Sequence, residues 1–161
     1  MIGEHPTVGC IVLMGDLPAS EANERVLKSL DSLIPLNQWQ PHESARSFAS
    51  GVLGNAHLQA IVHTQKTQDG IFVFLVFDED QVIAVSRCTG LTIAELLSPY
   101  VVVLESAIGS EGIGIGFELS PPSDTGDQAL KDAGIALFFA RDRDTQRWGR
   151  KELLPIIGHY L

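Results

Sequence analysis

Four glycines fall within eight residues, at Gly109, Gly112, Gly114 and Gly116, and glycine-rich segments can cradle phosphates. A dinucleotide-binding loop needs glycines at i, i+2 and i+5 between a strand and a helix. Counted from Gly112 and Gly114 the third place is Phe117, and counted from Gly114 and Gly116 it is Leu119. No Gly-Lys-Ser/Thr is present, so the phosphate loop of nucleotide hydrolases is excluded as well. Alternation instead puts Ile113, Ile115, Phe117 and Leu119 on one side of a strand, with Gly114, Gly116 and Glu118 opposite. A strand bare on one side marks a close approach to its backbone. The expected neighbour is a helix or a core aromatic packed over the gap, ahead of a binding groove.

Other chemistry-bearing residues are scattered. His57 and His63 share a face of one strand, but six residues at about 3.3 Å each hold them about 20 Å apart, too far to share a metal. His159 lies near the end of the chain. There is no Gly-x-Ser-x-Gly elbow. Cys10 and Cys88 form no CxxC pair and sit in apolar runs, where buried free thiols are expected. Asp78-Glu79-Asp80 lacks the ligand series of a calcium loop and suits a solvated hairpin turn. These observations assign no catalytic residue, no metal and no cofactor.

Charge is unevenly spread. The 161 residues carry a net charge of -9, which repels nucleic-acid backbones and anionic lipid and so excludes both as general partners. Residues 1–140 hold 17 acids against six bases, whereas 141–161 hold five bases against three acids. Arg141, Arg143, Arg147, Arg150 and Lys151 make this stretch a basic edge on an acidic body, with Trp148 as an aromatic anchor beside it. No basic segment leads into an apolar stretch at the N-terminus. The longest apolar run, Ile71 to Phe77, is far short of the roughly 20 residues that cross a bilayer. A reduced, cytoplasmic protein without membrane partners is expected.

The elements that must position these residues read as follows. Val8 to Met14 is a buried strand, and a helix capped by Ser20 carries Ala22, Val26, Leu30 and Leu33 on one stripe until Pro35. Residues 35–55 are irregular, with a short helix expected around His42 to Ala49. Ala56 to His63, Ile71 to Phe77 and Gln81 to Cys88 read as three strands of an antiparallel meander. Ile71 to Phe77 is apolar on both faces and belongs at the centre of the sheet. Thr92 and Glu95 form a capping box for a short helix that Pro99 ends. Tyr100 to Ser106 and Gly112 to Leu119 read as a second hairpin. A short helix opens at Thr125 to Gln128 and closes at Gly134, Ile135 to Ala140 is a strand, and Arg147 to Ile157 forms a last helix or turn. The length and composition suit one domain over 1–161. The expected fold is α+β, with a mainly antiparallel sheet of six or seven strands and three or four packing helices.

With no catalytic signature, the expected function is that of a small acidic module that inhibits, neutralises or chaperones a partner protein bearing a basic patch. The displayed carboxylates would be Glu21, Glu24, Asp31, Asp69, Asp78, Glu79 and Asp80, with Trp39, Trp148 and Arg143 as further contacts. A homodimer is compatible with the same composition, as is a structural subunit of a larger complex. The alternative is a small hydrolase or transferase whose site assembles from distant residues such as His63, Arg87 and Glu105.

Overall fold

Along the first strand, β1 (Thr7–Leu13), Val8, Cys10 and Val12 turn to one face while Ile11 and Leu13 turn to the other, and all five are buried. The computed structural model describes residues 6–42, 46–107, 109–141, 144–145 and 147–153. Within them lie α1 (Ala19–Ser29), a 3-10 turn at Leu36–Gln38, β2 (Gln40–His42), β3 (Arg46–Leu53), β4 (Ala56–Thr67) and β5 (Gly70–Asp78). There follow α2 (Glu79–Thr89), α3 (Ile93–Glu105), β6 (Gly112–Phe117), α4 (Asp127–Asp132), β7 (Ile135–Arg141) and β8 (Trp148–Glu152). The eight strands form one sheet in the order β2-β3-β4-β5-β1-β6-β7-β8, antiparallel at every pairing. The fold is α+β, as expected, with eight strands and four α-helices among the described residues.

α1, α2 and α3 cover one face and α4 lies against the other. The larger core holds Ala22, Val26, Leu30 and Ile34 from α1 and the turn after it, Val82 and Val85 from α2, and Leu97, Tyr100 and Leu104 from α3. These meet Ile71, Val73, Leu75 and Phe77 of β5. The alternate residues Phe72, Phe74 and Val76 join Ile11, Leu130, Ile135 and Phe138 on the opposite face. β5 is therefore interior and covered on both sides, which accounts for its unbroken apolar run. The Tyr100 hydroxyl donates to the Val52 carbonyl at 2.8 Å, tying α3 to β3. Burial pushes that phenol up to about 12.

Several elements differ from the sequence reading. Gln81 to Cys88 is helix α2, not a strand. Asp78 ends β5 and caps the helix, its Oδ1 accepting from the Gln81 N–H at 3.1 Å, and Gly90 closes it at φ 77. Capping at both ends outweighs the strand preference of Val82, Ile83 and Val85. The Asp78-Glu79-Asp80 triplet is consequently a helix start and not a hairpin turn. α3 keeps the capping box at Thr92 and Glu95 but runs through Pro99 to Glu105, so Tyr100 to Glu105 is helix. Pro99 is on the exposed side, where the carbonyl it frees one turn back can turn to water.

In place of the helix expected around His42 to Ala49, the described residues there are strand: His42 ends β2 and Arg46–Leu53 is β3, with Gln40 paired with Phe48. Trp148–Glu152 is the strand β8, paired to β7. Arg143, His159 and residues 154–157 of the expected last helix lie outside the described residues. Ser20 falls inside α1, because Pro18, preset at φ -58, takes the capping place.

The bare side of β6 is filled. A Cβ at Gly112 would lie 2.6 Å from Phe138 Cζ, one at Gly114 would lie 3.0 Å from both Ile11 and Ile135, and one at Gly116 would lie 1.9 Å from the Gly134 carbonyl oxygen. The glycines admit an aromatic ring, two isoleucines and the start of β7.

Candidate binding surfaces at opposite ends of the sheet

β5 and β6 flank β1 and run opposite to it, so Asp78 pairs with Thr7 and Phe117 with Val8. The end of β5, the start of α2 and the residue after β6 thus meet at one end of the sheet. Glu79 N–H donates to the Pro6 carbonyl at 3.0 Å, and Glu118 N–H donates to the Thr7 carbonyl at 2.9 Å. Glu118 stands at φ 47, the one non-glycine residue with positive φ among the described residues. The Glu79 carboxyl is held above its ordinary value by burial, and then by the negative charges of Asp80, Glu118 and Asp78. The start of α2 favours carboxylates there through its helix dipole.

The other expected acidic contacts are not gathered there: Asp69 lines a hollow with Glu111, and Glu21, Glu24 and Asp31 are engaged locally. Glu21 accepts from Arg25 at 2.6 Å and Glu24 pairs with Lys28 at 2.8 Å, each one turn apart on α1. The hydrogen bond and charge of Lys28 hold the Glu24 carboxyl below its ordinary value. Asp31 Oδ1 accepts from the Leu36 N–H at 2.9 Å. Trp39 is in the helix-side core, only 8% exposed, with its indole N–H buried and unpartnered. Trp148 is half-buried on β8 against the same core.

The opposite end of β1 opens into a cleft of about 800 Å³. Its apolar wall is Leu13 and Phe138, and its floor includes Ala140 and Gly149, paired across β7 and β8. Glu111, Thr125, Arg141, Arg150 and Lys151 complete the lining. Lys151 Nζ is bonded to Asp127 Oδ1, and Arg150 reaches Glu152 at 3.3 Å. Arg141 has no carboxylate in ion-pair range among the described residues. Ser110, also in the lining, is 3% exposed, and its Oγ has no hydrogen-bond partner. The basic edge was visible in the sequence. The cleft was not, because Ser110 and Glu111 carry no motif and meet Arg141 only through the β6–β7 pairing.

His63, Arg87 and Glu105 are not brought together. His63 pairs with Phe74 and stacks on it at 5.6 Å, on the face opposite the three large helices. Arg87 is on α2 and Glu105 on α3, so the sheet lies between them and His63. Burial, and then the charge of Arg46, hold the His63 imidazole below its ordinary value. Burial pushes the Glu105 carboxyl up, in a smaller hollow that it shares with Arg150. Among the described residues no three His, Cys, Asp or Glu side chains are placed to hold a metal ion. No single helix among them is long and apolar enough to cross a membrane. Cys10 is buried, with its thiol pushed up to about 12, whereas Cys88 is exposed and not buried as its apolar run had implied. Neither a protein-family model, nor a curated protein, nor a solved structure matches the chain.

Proposed function

We propose that the protein is a cytoplasmic binding module that inhibits, neutralises or chaperones a partner protein, and that a basic patch on the partner docks on the acidic end of the sheet. The observation that carries this reading is the gathering of Asp78, Glu79, Asp80 and Glu118 at one end of the sheet; burial first, and then the charges of these neighbours, leave Glu79 disfavoured as an anion. A docked lysine or arginine relieves that repulsion, so the stability lost in the free protein returns as affinity. The acids of α1 differ, since Arg25 and Lys28 already meet them.

The test compares two charge reversals of equal size, Glu79→Lys with Asp80→Lys and Glu21→Lys with Glu24→Lys, each used to capture partners from a host lysate at low and physiological salt. A partner lost with the first pair, kept with the second and released by salt supports the reading. Capture of nothing, or of a partner indifferent to which end is reversed, rejects it.

A further inference from the structure

We propose that the cleft beside β8 binds a small zwitterion, an amino acid or short peptide whose carboxylate meets Arg141 and whose ammonium meets Glu111. Three observations lead there independently of the acidic end. The first is charge number. Lys151 and Arg150 are already held by Asp127 and Glu152, so among the described residues of the lining Arg141 is the cation without a carboxylate partner. One guanidinium fork suits one carboxylate, held bidentately; a phosphate dianion calls for a second free cation.

The second observation is the acidic part of the lining. Leu13, Glu111 and Thr125 also line an adjoining hollow that contains Asp69 and Asp124. The lining therefore carries charge of both signs, which a ligand bearing both can satisfy. The third is the orphaned Ser110 Oγ, buried in the lining with no partner. An unmade hydrogen bond there costs stability, and a carboxylate oxygen or peptide carbonyl can accept it. About 800 Å³ is within the range of small-molecule sites, and Leu13 and Phe138 give the ligand's side chains apolar contact.

Gly149 provides a clean obstruction. A Cβ there would meet only the Ala140 oxygen, at 4.0 Å, so the position has room for a side chain, and a valine adds bulk at the floor of the cleft. The probe is trialanine, titrated calorimetrically into the full chain at millimolar concentration beside trialanine amide, N-acetyl-trialanine and inorganic phosphate. Trialanine is expected to bind, with removal of either end charge weakening it about tenfold, the size of one charge-assisted hydrogen bond. Arg141→Gln should weaken trialanine by a similar factor, and Gly149→Val should abolish the heat. Glu111→Gln should weaken trialanine while leaving N-acetyl-trialanine unchanged. Thermal midpoints show that the variants are folded, and Arg141→Gln and Glu111→Gln, being exposed, keep the test decisive if Gly149→Val is not. No heat with trialanine, binding that survives Arg141→Gln, or phosphate bound as well as trialanine would overturn the proposal.

Discussion

The Phe138 ring lies over Gly112, so close that a Cβ at Gly112 would come within 2.6 Å of its Cζ atom. Four residues along β6, the obstacle at Gly116 is different in kind: the Gly134 carbonyl oxygen, 1.9 Å from a Cβ. A ring tip can swing aside, whereas the backbone that starts β7 cannot. Gly112→Ala is therefore expected to cost about 1–3 kcal/mol, the usual range for overpacking. Gly116→Ala should cost more and lower expression of folded protein. Urea unfolding of the two variants checks the order, and equal costs would contradict the packing described.

Phe74 is 4% exposed at the centre of β5, within the opposite-face core. Phe74→Asp loses its burial and adds a charge with no partner. Truncation of a buried phenylalanine alone costs about 3–5 kcal/mol, against a total stability of about 5–15 kcal/mol. The variant should lack a cooperative thermal transition by circular dichroism. A parent-like midpoint would place Phe74 outside the core.

How far the sequence could be read depended on whether a segment carried its own signal. β5 was legible because seven apolar residues in succession can be accommodated only inside a sheet covered on both faces. α1 was legible from its stripe of Ala22, Val26 and Leu30. α2 resembles a strand in its Val82, Ile83 and Val85; the signal for a helix is Asp78 three residues before Gln81, a capping pattern. Pro99 does not end α3, since its cost falls when it faces water. The two ends of the sheet were only half legible. Asp78 to Asp80 and the basic edge were visible as local charge, but Glu118 and Ser110 reach them through pairings between strands distant in sequence. Such contacts leave no local trace.

The two thiols should report this burial directly. Cys88 is exposed on α2, whereas Cys10 is buried in β1 with its ionisation opposed by the core. Only the thiolate attacks a disulfide reagent. One thiol per native chain should therefore titrate rapidly with dithiobis-nitrobenzoate, and the second only in denaturant. Cys88→Ser should abolish the fast phase, and a fast phase that survives it would place Cys10 at the surface.

His63 makes stability depend on pH. Its folded value lies below the ordinary 6.5, because burial and Arg46 both disfavour the imidazolium. As pH falls through 6.5 the unfolded chain takes up this proton first, so it binds more protons than the folded one and stability drops. The contribution is complete above the unfolded value and is lost towards the depressed folded one. Compared with His63→Gln, the parent should therefore lose thermal stability between pH 7.5 and pH 5. Parallel midpoints across that window would show that the ring is not sheltered.

Asp78 and Glu79 are neighbours with opposite expected effects. Asp78 accepts from the Gln81 N–H and caps α2, so Asp78→Ala should destabilise by about 1 kcal/mol. Glu79 is held above its ordinary 4.5 by burial and by Asp80, Glu118 and Asp78, so the folded state resists its ionisation. For a carboxyl raised on folding, the folded chain binds the extra proton and stability declines as pH rises. Glu79→Gln should accordingly raise the thermal midpoint at pH 7, and its advantage should shrink as pH falls through the raised value and vanish below 4.5. The same substitution should weaken capture of a basic partner, because the repulsion it removes is what docking relieves. Stability and binding would then move in opposite directions at one residue, as expected where a surface is kept for recognition at some cost to the fold. A Glu79→Gln protein that is both less stable and equally competent to bind would rule out that account of the acidic end.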